Sequence, residues 1–418
     1  MTATPFPEPA VPPLPEPYQT PSALNFSTVV GWPEGRKPAA PDGFEVTLYA
    51  DGLDYPRWFH LLPNGDVLVS EARTQLKPDH DPNSPAVQGD KRSRALGQSA
   101  NRITLLRDAD GDGFPEIRET FLEGLRQPFG MALLGDTLYV ANTDGVLVFP
   151  YREGQTRIEA EGRKILDLPA GGYNNHWTRN IRVGPGGKKL YVTVGSASNV
   201  AEYGIDEEHR RAAILEIDPD GSGERIFASG LRNPVGLDWE PETGVMWTAV
   251  NERDELGDEL VPDYMTSVQD GGFYGWPYSY FGKIEDPRLR GQRPDLVARS
   301  IVPDMALGSH TASLGLAFYR GTAFPERYRG GAFIGQHGSW NRSELSGYKV
   351  LFVPFADGKP SGDPVDVLTG FVNDQGDALG RPVDVAPDGK GGLLVTDDVG
   401  NRVWRVGAET TVGQAAQR

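Results

Sequence analysis

One phrase recurs six times along this chain: an approach segment, a turn rich in Pro, Gly, Asn or Asp, and a short β-branched strand. Its instances are YPRWFHLLPNGDVLVSEA, RQPFGMALLGDTLYVAN, HWTRNIRVGPGGKKLYVTVGS, RNPVGLDWEPETGVMWTAVNE, SLGLAFYRGTAFPERYRGGAFIGQHG and GRPVDVAPDGKGGLLVTDD. Turns such as Asn64-Gly65, Gly135-Asp136 and Asp388-Gly389 join two apolar runs, which is the hairpin signature. A repeated unit cannot bury its apolar face alone, so repeats stack into an array. With about four short strands per unit and few helical stretches, the array expected is an all-β, six-bladed β-propeller with four-stranded antiparallel blades. The repeats average about 60 residues against roughly 40–45 for a WD-type blade. Long inter-blade loops are therefore expected, and loops on a rigid scaffold are where binding chemistry collects. A β-sandwich pair or a β-helix would show shorter, more regular periods.

The 52 Gly and 35 Pro among 418 residues suit a fold of many turns. Disorder is the competing reading of so much Gly and Pro, but 8 Trp, 15 Tyr and 17 Phe supply a core. Residues 1–43 read as a Pro-rich extended arm, 44–407 as the propeller, and 408–418 as a polar, frayed tail. A formal charge of −17 repels a phosphate backbone, which argues against nucleic acid as a partner and favours hard cations. The absence of cysteine removes disulfides, thiolate metal sites, a catalytic thiol and C-x-x-C-H haem attachment. No apolar run reaches the roughly 18 residues of a membrane span, and no charged-then-apolar leader pattern opens the chain.

Three motifs carry candidate chemistry. Asp108-Ala-Asp110-Gly-Asp112-Gly113-Phe114, continuing to Glu119, fits the twelve-residue calcium loop D-x-D-x-D-G-x5-E. Asp108, Asp110, Asp112 and Glu119 would give side-chain oxygens and Phe114 its carbonyl. The flanks read as strands instead of EF-hand helices, so the bland alternative is a solvated acidic turn. The second motif, Asn174-Asn175-His176-Trp177-Thr178-Arg179-Asn180, puts one of only six histidines at a loop-to-strand junction. His176 is thus a general-base candidate, weighed against a structural role. The third is Leu231-Arg232-Asn233-Pro234-Val235-Gly236, followed by acidic Asn251–Glu259 and by Gly271–Pro277. An arginine fork there suits the carboxylates of a polyacidic ligand, and the acidic stretch suits a second hard cation.

Taken in order, HWTRN…LYVTVGS, ILEIDPDGS, GLRNPVGLDW, GDEL…GGFYGWP, SLGLAFY and RPVDVAPDG resemble the pyrroloquinoline-quinone (PQQ)-dependent soluble aldose dehydrogenases of the glucose/sorbosone type, most closely the sorbosone branch. The resemblance spans residues 44 to 406. It implies a six-bladed propeller with PQQ and calcium over the central channel, oxidising a sugar or sugar aldehyde to lactone or acid. By the same resemblance His176 is the base, and Arg232, Asn233, Arg342, Arg381 and Gln127 contact PQQ. The backbone of Arg253 and Asp254 would hold the calcium beside it, and Glu259 and Tyr274 a further structural calcium. His310, His337 and Asn341 fall on segments reaching the same rim. An external electron acceptor, a cytochrome, quinone or dye, and a periplasmic or secreted location are also implied.

Two departures stand out. Gly195-Ser196 replaces the Gly-Asp of glucose-oxidising relatives, removing the carboxylate that would orient the histidine. Leu379 replaces a second arginine two residues before Arg381. Two other functions stay open on the residues alone: a calcium-dependent lactonase on a similar propeller, and a non-catalytic propeller that binds carbohydrate or protein.

Overall fold

The computed structural model describes residues 9–77 and 80–409. The first eight residues of the arm and all of the expected tail beyond Glu409 lie outside the described residues.

Six blades of four antiparallel strands follow one another along the described residues, and the third gains a short fifth strand, Gly272–Phe273, paired in parallel with its outer strand. Blade 1 comprises Pro56–Leu61, Val67–Glu71, Arg102–Arg107 and Ile117–Leu122; blade 2, Met131–Leu134, Thr137–Asn142, Gly145–Pro150 and Arg163–Asp167. Blade 3 comprises Ile181–Val183, Leu190–Val194, Ala213–Ile217 and Arg225–Ser229; blade 4, Asn233–Trp239, Met246–Asn251, Pro262–Ser267 and Met305–Ser309. Blade 5 comprises Ser313–Phe318, Ala332–Gln336, Lys349–Val353 and Val365–Leu368. Blade 6 is built from Pro382–Pro387, Leu393–Asp397 and Arg402–Ala408, and its outer strand is Phe44–Ala50, from the other end of the chain. That exchange closes the ring by hydrogen bonds, with Phe44 opposite Ala408 and Val46 opposite Val406. Closure also leaves no open seam for edge pairing. The first strand of each blade touches the first strand of the next, and that of blade 6 touches blade 1, so these six strands line the axis.

Ala408, expected at the start of the tail, is the last residue of the blade 6 strand, and Glu409 N–H donates to Gly43 O at 2.9 Å. The arm is extended, and it is tied across one mouth of the ring. Tyr18 N–H donates to Leu256 O at 2.8 Å, Asn25 N–H to Trp340 O at 2.7 Å and Trp32 Nε1 to Asp397 Oδ2 at 2.6 Å. It crosses loops of blades 4, 5 and 6 in turn, burying Phe26, Val29 and Trp32 as it goes.

The channel is blocked from within. Trp58, Phe129, Trp177, Val235, Leu314 and Val383, one from the start of each blade, pack with Ala72 into one apolar cluster. Trp58 and Phe129 rings lie 4.6 Å apart, and Phe129 meets Trp177 edge-on at 6.2 Å. Above this floor the loops enclose a cavity of about 790 Å³, with Trp177 and Leu314 at its base.

Candidate active site

His176 lines that cavity from the approach to blade 3. Its loop is held from behind by Arg179, a fully buried guanidinium. Arg179 donates to the carbonyls of His176 (2.6 Å), Thr178 (2.9 Å) and Pro169 (2.8 Å) and to Asn174 Oδ1 (2.9 Å). The Asn-His-Trp-Thr-Arg string is therefore a clamp and its load written together. The imidazole packs against Gly195: a β-carbon there would stand 2.5 Å from His176 Cβ and 2.3 Å from Asn233 Oδ1, so only glycine lets the two side chains meet. Burial, then the charge of Arg232, pushes His176 down to about 3, leaving it neutral near pH 7. Nδ1 lies 2.9 Å from Ser196 O and 3.0 Å from Ser196 Oγ.

Arg232, Asn233, Arg381 and Gln127 line the same cavity. Arg232 is anchored on Glu252 O (2.5 Å), Asn199 Oδ1 (2.9 Å) and Asp254 Oδ2 (3.0 Å). Arg381 donates to the carbonyls of His337 (2.9 Å) and Gly338 (2.6 Å). Gln127, in the left-handed region at φ 45°, donates to Arg73 O at 3.0 Å. His310, His337 and Asn341 also reach the cavity. His337 Nε2 sits 2.8 Å from Asp398 Oδ2, and Asn341 Nδ2 donates to Asp254 Oδ1 at 2.6 Å.

Arg57 was missed by the sequence reading. It enters from blade 1, its Nη1 donates to Asp398 Oδ2 at 2.5 Å, and its buried Nε has no hydrogen-bond partner among the described residues. The signal was there: an arginine stands at or just before the first strand in five of the six repeats, at Arg57, Arg126, Arg179, Arg232 and Arg381.

Several expected ligands fall elsewhere. Arg342, expected beside PQQ, is outside the cavity and is bound by Glu259, expected to be a metal ligand, and by the carbonyls of Asp258 and Glu344. The two form an ion pair with each other. Tyr274 is buried, its hydroxyl donating to Ser267 O at 2.6 Å and accepting from Gln269 N–H at 3.0 Å, and it shares no partner with Glu259. For Arg253 and Asp254 the expectation concerned the backbone: Asp254 lines the cavity, while the Arg253 side chain is buried against Asp286 at 2.6 Å and its Nε donates to Asp254 O at 2.8 Å. In the calcium-loop motif, Asp108, Asp110 and Asp112 cluster with Glu116, not Glu119. Glu119 lies in a blade 1 strand in register with Leu105, whereas Glu116 precedes that strand and folds back to accept from Ala109 N–H at 2.7 Å. Lys390 of blade 6 already pairs with Asp108, and Phe114 is exposed.

The cavity is electrostatically divided. On one wall Arg57 and Arg381 flank Asp398, which His337 and Arg57 hold well below the carboxylate range against the cost of burial. On the other, Glu252 and Asp254 gather around Arg232, and Asp263 accepts from the Glu252 N–H behind them. Burial pushes Glu252 up to about 8 and Asp263 up to about 6. Crowded buried carboxyls with hard oxygen donors fit a calcium-sized cation. Arg57 Nε and Asn233 Oδ1, without a hydrogen-bond partner among the described residues, with the guanidiniums of Arg57, Arg126, Arg232 and Arg381 on one cavity, fit a flat polyacid carrying carbonyls.

The model of the glucose/sorbosone dehydrogenase family matches residues 135–346, and a TrAA12-like model matches 295–409. An uncharacterised protein of Borreliella burgdorferi is 31% identical over 69% of this chain and 77% of its own length. A PQQ-dependent pyranose dehydrogenase of Coprinopsis cinerea is 23% identical over 78% of this chain, which spans about half (47%) of that protein. Among solved structures, the holo PQQ domain of the Coprinopsis enzyme superposes with TM-score 0.70 at 20% identity, covering 91% of this chain and 100% of that one. A calcium structure of a Trichoderma reesei family AA12 enzyme gives 0.72 at 18%, covering 92% and 99%. At such identities these likenesses speak for the fold.

Proposed function

Since this chain belongs to the glucose/sorbosone dehydrogenase family, we propose that it is a PQQ- and calcium-dependent sugar dehydrogenase working through the cavity above the apolar floor. The observation that carries this reading is convergence: Arg57, Arg232 and Arg381, from blades 1, 4 and 6, meet His176 of blade 3 on one cavity. Arg57, Arg381 and Asn233 would hold the carboxylates and carbonyls of PQQ, and the carboxyls of Glu252, Asp254 and Asp263 would neutralise the calcium. When bound, PQQ supplies a two-electron acceptor for hydride, and calcium polarises its quinone oxygen.

The chain's own residues do the rest. His176 Nε2 takes the proton of the substrate hydroxyl, because hydride leaves the adjacent carbon readily only as that oxygen becomes anionic. The low basicity of His176 keeps Nε2 unprotonated at neutral pH, so the base is ready in every molecule. Arg232 stands close enough to depress His176, and it stabilises negative charge at the reacting oxygen. Trp177 and Leu314 close the base of the site against water from the channel. An external carrier, a cytochrome, quinone or dye, would take the electrons from the reduced cofactor. A sugar or sugar aldehyde is the substrate class, and a location outside the cytoplasm follows the same reading. The unit responsible runs from residue 44 to 408, with the arm laid across its mouth.

Reconstitution with PQQ and calcium, followed by dye reduction with a panel of aldoses and aldehydes, tests this. Saturable dye reduction is expected. Lactone hydrolysis without PQQ, or ligand binding without turnover, would replace it with a lactonase or a binding propeller.

A further inference from the structure

We propose that Glu208 is the positioning carboxylate of the histidine base, acting on His176 through Ser198 and Ser196. The inference rests on the reading of His176 as the base, and it fills the place left by the missing Gly-Asp carboxylate.

His176 Nδ1 faces two oxygens of one residue, Ser196 O at 2.9 Å and Ser196 Oγ at 3.0 Å. The carbonyl can only accept. The hydroxyl has a single hydrogen, and Ser196 Oγ donates it to Ser198 O at 2.6 Å. Ser196 Oγ therefore turns a lone pair toward the ring as well. With acceptors on both sides, Nδ1 must carry the imidazole proton, which leaves the Nε2 lone pair for the substrate.

What holds Ser196 in that role is Glu208. Ser198 Oγ donates to Glu208 Oε1 at 2.5 Å, and Ala197 N–H donates to Glu208 Oε2 at 2.7 Å. Both carboxylate oxygens thus grip the 196–198 turn, and every residue in the chain is buried: Ser196 and Ser198 fully, Glu208 at 7% exposure. Three residues on, Arg211 donates to Asn174 Oδ1 at 2.8 Å, the oxygen that also accepts from Arg179. Arg179 in turn grips the His176 carbonyl. The ring nitrogen and the backbone of His176 are therefore both tied to the segment that begins at Ile205. When Nε2 takes the substrate proton, the imidazolium charge is answered by the Ser196 carbonyl and hydroxyl, which Glu208 holds in place by gripping the 196–198 turn at the Ala197 N–H and the Ser198 hydroxyl.

The test uses the full chain with Glu208→Gln, Glu208→Asp and Ser196→Ala. Three readouts are followed: 15N NMR of His176 in the protein alone, PQQ titration by fluorescence quenching, and kcat and KM of dye reduction with PQQ and calcium. Glu208→Gln and Ser196→Ala are expected to lower kcat roughly 10- to 100-fold, the usual effect of losing an orienting partner, with KM and PQQ affinity unchanged. The wild-type Nδ1–H tautomer should become mixed in Glu208→Gln but persist in Ser196→Ala, whose carbonyl still accepts from Nδ1, and Glu208→Asp should recover part of the loss. Wild-type kcat and tautomer in Glu208→Gln overturn the inference. So does a loss of kcat that tracks equal losses of PQQ affinity and melting temperature, which marks a merely structural glutamate. If Glu208→Gln does not fold, Ser198→Ala, which removes the hydroxyl that Glu208 Oε1 holds, is read in its place. Failure of the underlying reading looks different: His176→Ala then keeps its turnover while the tautomer result stands.

Discussion

Arg57 Nη1 and Asp398 Oδ2 meet at 2.5 Å across the seam between the first and last blades, both side chains buried at 8% and 0% exposure. The same ion pair closes the ring and sets the charge of the cavity wall. Removing one partner of a buried pair strands the other charge, a cost of about 3–5 kcal/mol. Arg57→Ala is therefore expected to lose stability in that range by urea denaturation, and its PQQ affinity should fall at least tenfold by fluorescence titration. Equal affinity in a folded Arg57→Ala would remove this residue from the cofactor wall.

Asp398 also makes acid stability predictable in sign. Its folded carboxyl is held below the unfolded value by His337 and Arg57. A depressed carboxylate stabilises the fold above the unfolded pKa of about 4 and loses that contribution as pH falls through the folded value. Stability should thus decline on acidification below about pH 4, and Asp398→Asn should flatten that decline while lowering stability at pH 7. Thermal melts at a series of pH values would show an unchanged acid limb if the pair were unimportant.

The propeller was legible because each blade writes its own hairpins, and Asn64-Gly65 and Asp388-Gly389 do so locally. Ring closure was not, since nothing in FEVTLYA says that it pairs with RVWRVGA more than three hundred residues away. The site divided the same way. His176, Arg232 and Arg381 sit in contiguous phrases and fell on one cavity. Arg342 and Glu259 are likewise in recognisable phrases, but only the tertiary approach of two loops reveals that each is the other's partner. Glu208 carried no motif at all, because its role lies in hydrogen bonds to a turn about ten residues upstream.

Gly195→Ala isolates the packing of the site from its chemistry. The added β-carbon would collide with Asn233 Oδ1 and His176 Cβ at 2.3 and 2.5 Å. Overpacking of this kind costs about 1–3 kcal/mol, small beside the stability of a six-bladed ring. The variant should stay folded by circular dichroism while kcat and PQQ affinity both drop more than tenfold. Normal activity would show that His176 and Asn233 need not sit against each other.

The pH profile of turnover follows from the buried base. His176 is depressed to about 3 by burial and by Arg232, so it is neutral across the range in which an ordinary histidine titrates. The rate should show no limb near pH 6.5 and fall only as pH drops toward about 3. His176→Ala should abolish dye reduction while PQQ still quenches fluorescence with the wild-type curve. A limb near 6.5 that shifts upward in Arg232→Ala would instead mean that His176 titrates as a solvent-exposed imidazole.

Calcium has two candidate positions, and the chain itself says which should matter more. At the blade 1 loop, Lys390 already neutralises Asp108, and Asp110, Asp112 and Glu116 are exposed, so water screens what remains. In the cavity, Glu252 and Asp263 are buried deeply enough to hold protons well above the usual carboxylate range, and a bound cation would relieve that burial. Linkage makes the difference measurable, since a ligand at 100 times its Kd adds about 2.7 kcal/mol to the folded state. Chelation should lower Tm and PQQ affinity in the wild type, and by nearly the same amount in an Asp110→Asn, Asp112→Asn double variant. If the double variant instead loses the entire Tm response, the exposed loop is the stabilising calcium site and the buried carboxyls are not.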